Sequence, residues 1–316
     1  MVSVKYKTIN GKKYLYAEHS FRLPNGKIKK ISKLIQNKEE EKNKEIKDYF
    51  LKKQIESYQD YALKTYKPNN LLNEEQIKKL EQIRVEYKEI MKSFTKNQIK
   101  DILDRFTVNF TYESNAIEGN SLTLKDVTLI LGENVVPKNK DLREVYETRN
   151  TREAHELLFK NKIKINIKDI IHVHSILVKD TGVQLGFKKL PNYIVMRNLK
   201  TTPPEKVEEE INKLILWYET NKNKIHPLRL ATEFHARFES IHPFDDGNGR
   251  TGRILLNVIL LEQNYPPLII RKTARIAYFS SLEAFDKGYK DKLERFLLDK
   301  IKDTFEKFFK IYVKYL

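Results

Sequence analysis

The chain is expected to be mainly α-helical, with a small antiparallel β-sheet at its amino end. Three observations lead there. Beyond residue 67, apolar residues recur at helical spacing through most of the sequence. Paired capping residues precede several of those stretches. The first 35 residues alternate instead, at Val2, Val4, Tyr6 and at Tyr14, Tyr16, around Asn10-Gly11. Asn-Gly between alternating strands is the strongest short hairpin signal.

The elements follow in order. Pro24-Asn25-Gly26 marks a second turn in the amino-terminal sheet. Residues 38–66 read as a charged amphipathic helix, and Lys67-Pro68-Asn69-Asn70 as a boundary. This divides the chain into 1–66 and 67–316. Asn73 with Gln76, and Thr123 with Asp126, form capping pairs ahead of two helices. Gly132 is expected to close the second of these. Residues 140–160, 167–179 and 204–221 read as helices, the last begun by Thr202-Pro203-Pro204-Glu205. Residues 228–241 carry a further helical pattern with no Pro or Gly. The tail 289–316 repeats Leu, Phe, Ile and Tyr at helical spacing, as core or as a face between two copies of the chain.

Composition sets outer bounds. The 316 residues suffice for a full core and for two domains. There are no cysteines, which excludes disulfides, thiolate metal sites and a cysteine nucleophile. MVSVKYKTIN has no apolar segment of the secretory type. The apolar run from Ile254 to Leu261 is interrupted by Asn257 and is too short to span a bilayer. A cytoplasmic protein without a membrane partner is expected. The formal net charge is +17, which draws polyanions. Lysines interleaved with glutamates, as in Lys38-Glu39-Glu40-Glu41-Lys42, fit solvated helix faces better than a nucleic-acid surface.

The chemistry concentrates in His242-Pro243-Phe244-Asp245-Asp246-Gly247-Asn248-Gly249-Arg250-Thr251-Gly252-Arg253. A residue before proline is pushed out of the α region, so one helix ends at His242. The next starts near Asn248, with Gly252 in its first turn, where another backbone or a ligand can come close. A helix start offers unpaired N–H groups and positive potential. Arg250 and Arg253, three apart, add two cations on one face. That arrangement suits an anion, and phosphate above all. Asp246 beside phosphates suits magnesium. His242 at the rim suits a general base.

These residues meet every defined position of H-P-F-x-[DE]-G-N-G-R-x-x-R. The chain thus resembles the Fic (filamentation induced by cAMP) family, over roughly residues 70–310 and including His235, Phe238 and Ile241 ahead of the signature. The resemblance implies a Fic-like helical core with a β-hairpin flap. It implies transfer of AMP from Mg2+-bound ATP to a Ser, Thr or Tyr hydroxyl of a protein. His242 would deprotonate the target, and Asp246 would hold magnesium. Gly247, Asn248, Gly249, Arg250, Thr251 and Gly252 would line the nucleotide site, and Arg253 would reach the γ-phosphate.

Three further segments take meaning from that likeness. Ser114-Asn115-Ala116-Ile117-Glu118-Gly119 matches the inhibitory pattern [ST]-x-x-x-E-[GN]. Ser114 and Glu118 share a helical face, and Gly119 with Asn120 ends that helix. Glu118, as a phosphate mimic, is expected to pair with Arg253. Gly186 to Met196 is the expected flap, with Tyr193, Ile194 and Val195 offering an edge for strand addition. Lys188 stands where the family usually has arginine. Tyr278, after Arg275, resembles the segment near the adenine.

Three rivals stay open. The same site could remove AMP or use another donor, although the intact Gly247-Asn248-Gly249 favours AMP. The chain could be a nucleic-acid-binding regulator with an accessory Fic site, or an inactive scaffold. His172 and His174 fall on different sides of a helix and do not suggest a metal site. His226-Pro227 reads as a helix start, and His235 as packing under the loop.

Overall fold

Asn10 and Gly11 both take positive φ, 50° and 78°, as a hairpin turn matched to strand twist requires. They join β1 (Val2–Ile9) to β2 (Lys12–Arg22), with Val4 opposite Ala17 and Tyr6 opposite Leu15. A turn through Asn25 and Gly26 leads into β3 (Ile28–Leu34), which pairs with the other edge of β2. Side chains alternate across the sheet. One face places Leu15 and Ala17 in a core with Ile35, Ile46 and Phe50, with Val2, Val4 and Ile31 at its margin. Ile46 and Phe50 come from α1 (Lys44–Thr65). A short 3-10 turn precedes α1, capped by Asn37 and Glu40 in reciprocal hydrogen bonds.

The structure, a computed structural model, describes residues 2–194 and 199–315. The chain forms two compact units, Met1–Glu89 and Ile90–Leu316. The 66/67 division read from the sequence falls inside the first unit. There α2 (Glu74–Ser93) begins on an Asn73 cap, its Oδ1 accepting the Gln76 N–H at 2.9 Å. Val85 of α2 then clusters with Phe21 and Tyr58, so the first unit extends past the loop at 67–70.

The second unit is helical. It runs through α3 (Lys96–Ile117), α4 (Leu124–Thr128), α5 (Leu142–Phe159) and α6 (Ile167–Leu177). A two-stranded hairpin follows, β4 (Tyr193–Ile194) with β5 (Leu199–Lys200). Then come α7 (Val207–Asn221), α8 (Pro227–Ile241), α9 (Asn248–Glu262) and α10 (Arg275–Asp286). The chain ends with α11 (Lys290–Thr304) and α12 (Lys310–Tyr315), joined by one wide turn. The Thr123 and Asp126 capping box is present. The turn after α4 closes on Asn134 in the left-handed region rather than on Gly132. Asparagine tolerates that conformation, and the helix overruns the glycine by two residues.

α9 is the central element. Every residue from Thr251 to Leu260 is buried, as befits a helix apolar on all sides. It packs against α3, α5, α6 and α8. Its amino end therefore has a fixed position among four helices. The aromatic tail is largely core: Phe305 and Phe309 are fully buried, and Phe309 stacks on Phe106. Among the described residues no helix is long and apolar enough to cross a membrane.

Candidate functional site

α8 begins on His226, whose Nδ1 accepts the Leu228 N–H at 3.2 Å. It ends at His242, whose N–H donates to the Phe238 carbonyl at 3.0 Å. The helix ends at His242, as the rule for residues before proline requires, and the residue is left-handed, with φ 51° and ψ 63°. That conformation also avoids the right-handed α region that Pro243 forbids. For a residue with a Cβ it costs on the order of 1–3 kcal/mol, a strain typical of functional turns.

The loop after His242 is clamped. The Asn248 side chain accepts the Phe244 N–H at 2.9 Å and donates to the Phe244 carbonyl at 2.8 Å. Only the backbone of Asn248 is left to face a ligand. The buried Phe244 ring stacks on His174, centroids 3.7 Å apart and planes at 7°. His174 Nε2 hydrogen-bonds the Asp246 carbonyl at 3.0 Å. Burial lowers the His174 pKa to about 4, so the ring is neutral and Nε2 is its donor. Gly247 is left-handed at φ 79°, and a Cβ there would stand 2.9 Å from Val178 Cγ1. No other residue type fits that turn without movement.

α9 therefore starts without a side-chain cap, and its first N–H groups have no acceptor within the helix. Both signature arginines are buried here, at 2 % exposure each. Arg250 lies with Nη1 3.3 Å from Glu147 Oε1 and Nη2 3.8 Å from Asp246 Oδ1. Arg253 holds Glu118 Oε1 at 2.7 Å through Nη2. Its Nε and Nη2 also donate to the Ser114 hydroxyl and carbonyl, each at 2.9 Å. Burial alone would lower the Arg253 pKa, but the Glu118 carboxylate and other neighbours raise it above its usual value.

Glu118 is the residue that ends α3, followed by Gly119 at φ 104°. A Cβ on Gly249 would fall 2.2 Å from Glu118 Oε1. The carboxylate thus lies directly over the first turn of α9, where an anion is favoured. Three contacts hold the end of α3 in place. Glu113 accepts from Arg271 Nη1 at 3.2 Å and from the Lys272 N–H at 2.7 Å. Arg275 Nε donates to the Ile117 carbonyl at 2.6 Å.

The flap is anchored at its base. The Lys188 N–H donates to the Pro243 carbonyl at 2.9 Å. Its ammonium donates to Asn192 Oδ1 and Thr201 Oγ1, both at 2.7 Å. Asn192 Nδ2 reaches the Phe244 carbonyl at 2.9 Å. Burial lowers the Lys188 pKa to about 8. Tyr193 is exposed at 52 % and Ile194 is half-buried, both on the β4 strand. Val195 lies outside the described residues.

Not every expected residue faces the cleft. Tyr278 is 1 % exposed, and its hydroxyl meets His235 Nε2 at 2.7 Å with the two rings stacked. It belongs to the packing beneath α9, because its polar end already has an interior partner. A Cβ on Gly252 would meet Glu239 Oε1 at 2.4 Å and His235 Nδ1 at 3.1 Å. The close approach that Gly252 permits is therefore to α8, not to a ligand. Thr251 is buried and its hydroxyl donates to the Gly247 carbonyl at 2.8 Å.

Sequence reasoning missed Arg143 and Glu147 on α5. Arg143 Nη2 donates to Asp246 Oδ2, and its Nε is 3.4 Å from Glu147 Oε1. Glu147 also accepts from Asn120 Nδ2 at 3.1 Å. Asp246 Oδ1 accepts the Gly247 N–H at 2.6 Å. Four apart on a helix, the two residues look by spacing alone like an ordinary helix-surface pair. Among the described residues no group of three His, Cys, Asp or Glu is arranged for a metal. Asp246, 45 % exposed, is a carboxylate at the mouth of the site. That fits magnesium, which takes one or two carboxylates and completes its shell with water and phosphate.

Fold and site together define a helical domain built around an anion site at the start of α9. Residues 164–260 of that domain match the model of the Fic/DOC family. Ser114 to Gly119 lies outside the matched segment. The protein adenylyltransferase Fic of Nematostella vectensis is 33% identical over 183 residues, 56% of this chain and 43% of that protein. The protein adenylyltransferase fic-1 of Caenorhabditis elegans is 32% identical over 186 residues, 57% of this chain and 36% of that one. The chain thus spans less than half the length of these curated relatives. In structure, it resembles a Fic-domain-containing signaling protein from Bacteroides thetaiotaomicron, with TM-score 0.67, 23% identity, 74% of this chain and 97% of that one covered. Fic-1 (residues 134–508) of C. elegans gives TM-score 0.63 and 22% identity, covering 77% of this chain and 71% of that one.

Proposed function

We propose that the chain is a protein adenylyltransferase that moves AMP from ATP to a hydroxyl of a protein, and that Glu118 holds it in check. The observation that carries this reading is the pair of buried arginines at the start of α9, each already holding a carboxylate. Burying two guanidinium groups is costly unless anions meet them. Carboxylates in both positions are stand-ins for phosphate oxygens, and the curated relatives are named for this activity.

In this reading the α9 N–H groups and Arg250 bind the phosphates nearest the reaction. Arg253 takes the γ-phosphate once Glu118 leaves. Asp246 would hold magnesium, which when bound neutralises phosphate charge. His242 accepts the proton from the target hydroxyl. The hydroxyl oxygen bonds to the α-phosphorus, and the bond from that phosphorus to the bridging oxygen breaks, releasing pyrophosphate. Positioning and charge neutralisation supply most of the acceleration, and the base about 10²–10⁴-fold. Tyr193 and Ile194 offer a strand edge for the target backbone.

The test compares wild type, Glu118→Gly and His242→Ala with ATP labelled at the α or the γ position. AMP transfer leaves α label on protein, raised by Glu118→Gly and abolished by His242→Ala. Label from the γ position would instead mean phosphorylation. UTP, GTP and CTP labelled at the α position, run in parallel, rank the donors.

A further inference from the structure

The amino-terminal sheet has a second face that the hydrophobic core does not use. Residues 2–34 contain nine lysines and arginines and a single acid, Glu18. The antiparallel register places Ser3, Lys5 and Lys7 of β1 opposite Glu18, Tyr16 and Tyr14 of β2. It places Ser20, Glu18 and Tyr16 opposite Lys30, Ser32 and Leu34 of β3. Lys12 and Arg22 extend this face at the two ends of β2, since residues two apart share a side.

Glu18 gathers this face. It is 2 % exposed and ion-paired to Lys30 at 2.5 Å, Lys7 at 3.0 Å and Lys5 at 3.9 Å. Lys30 and Lys7 hold its carboxyl down to about 2. One buried charge on β2 therefore gathers two lysines of β1 and one of β3, and most of their charge is left over. Lys5 and Lys30 remain more than half exposed. The lysines are positioned rather than free, which lowers the entropy lost when they meet a partner.

We infer that this face binds duplex DNA through its phosphate backbone. Charge selects a polyanion. Adjacent strands lie about 4.8 Å apart, and a two-stranded ribbon of that width fits the major groove of B-DNA at about 12 Å. Sheets are known to enter grooves in this way. The deep, narrow major groove of duplex RNA does not admit such an element. A single strand would need a row of free aromatic faces for stacking; the Tyr16 ring is covered by the Lys7 ammonium at 4.6 Å from its centroid, which leaves Tyr14, 37 % exposed, as a lone ring on this face.

The test is fluorescence anisotropy of the full chain with a labelled duplex DNA of about 20 base pairs across a salt series. Lys12→Gln together with Lys5→Gln leaves Lys7 and Lys30 on Glu18, so the sheet keeps its ion pairs; thermal melts check this. Wild type should bind with a steep salt dependence, and the double variant should lose about two units of the log–log slope, at about 0.9 per phosphate contact. Lys213→Gln on α7 should change nothing. No binding at low salt, an unchanged slope in a folded double variant, or equal binding to duplex RNA, single strands, polyglutamate or anionic vesicles would overturn the inference.

Discussion

Glu118 Oε1 and Arg253 Nη2 meet at 2.7 Å over the first turn of α9, with Ser114 binding the same guanidinium twice. The arginine is buried and the glutamate about one-third exposed. Removing the carboxylate therefore strands a buried cation beside an open helix start. Glu118→Gly is expected to lower stability by about 1–3 kcal/mol, the cost of a charged group losing its partner. ATP with magnesium should raise the melting temperature more in this variant than in wild type, because the nucleotide then fills a vacant arginine. Self-labelling should rise at least about tenfold, since 1.4 kcal/mol of competition is one decade. Equal thermal shifts in both proteins would argue that Glu118 and ATP do not compete.

Asn248 offers a sharper test of the loop. Its amide both accepts from the Phe244 N–H and donates to the Phe244 carbonyl, inside the protein. Asn248→Ala deletes both bonds and Asn248→Asp replaces the donor with an acceptor. The aspartate keeps the shape but sets two oxygens against each other. Asn248→Asp should cost more than about 2 kcal/mol in urea unfolding and should destabilise at least as much as Asn248→Ala. A nearly neutral aspartate variant would contradict the clamp.

The signature loop was legible because its rules are local. Proline after His242 stops α8, Gly247 starts the turn, and Arg250 and Arg253 fall on one helical face by spacing alone. The Glu118 contact was legible from the inhibitory pattern, since a glutamate before a glycine ends a helix. What stayed hidden depends on which distant helix arrives. Nothing near Tyr278 announces that His235 will meet its hydroxyl. Nothing in α6 announces that His174 will stack on Phe244 and hold Asp246. Glycine at 252 showed that something comes close but not that Glu239 would be it. Packing between helices decides these, and local spacing carries no record of it.

Acid should destabilise the second unit in a defined window. His155 and His174 are buried, and burial lowers their pKa values to about 3 and about 4. The unfolded chain titrates near 6.5. Between 6.5 and the folded values the unfolded state binds more protons, so stability is complete above 6.5 and falls as pH drops. Each histidine contributes about 1.4 kcal/mol per pH unit in that range. Asp126, held at about 2, acts in the same direction but only below its ordinary value of 3.8. Urea unfolding at pH 7.5 and pH 5 should therefore differ, and His155→Phe, set among Phe106, Phe110 and Phe159, should shrink the difference. Equal stability at both pH values would remove the buried-neutral assignment.

Lys188 ties the flap to the signature loop with one backbone donation, to Pro243, and braces the flap base with two side-chain donations, to Asn192 and Thr201. Lys188→Met keeps the stem and removes the ammonium, leaving Asn192 and Thr201 to each other, already 2.6 Å apart. The flap base should loosen without loss of the nucleotide site. The expected result is a KM for the protein target raised several-fold, with ATP affinity unchanged by calorimetry. A loss of ATP binding would mean that Lys188 serves the nucleotide instead.

Arg143 sets the last expectation. It donates to Asp246 Oδ2 from α5 while Glu147 holds its other side. The carboxylate that would hold magnesium in the proposed reading is thus engaged by a guanidinium. The metal would compete with Arg143 for Asp246. A half-exposed ion pair is weak, of order 1 kcal/mol or less, and magnesium can displace it at modest concentration. Arg143→Ala removes the competitor and leaves Asp246 on the Gly247 N–H. In a Glu118→Gly background, where labelling is measurable, the magnesium concentration giving half-maximal labelling should fall about two- to fivefold. A rise would show that Arg143 binds the phosphates and assists the metal. An unchanged value would place the metal on another group.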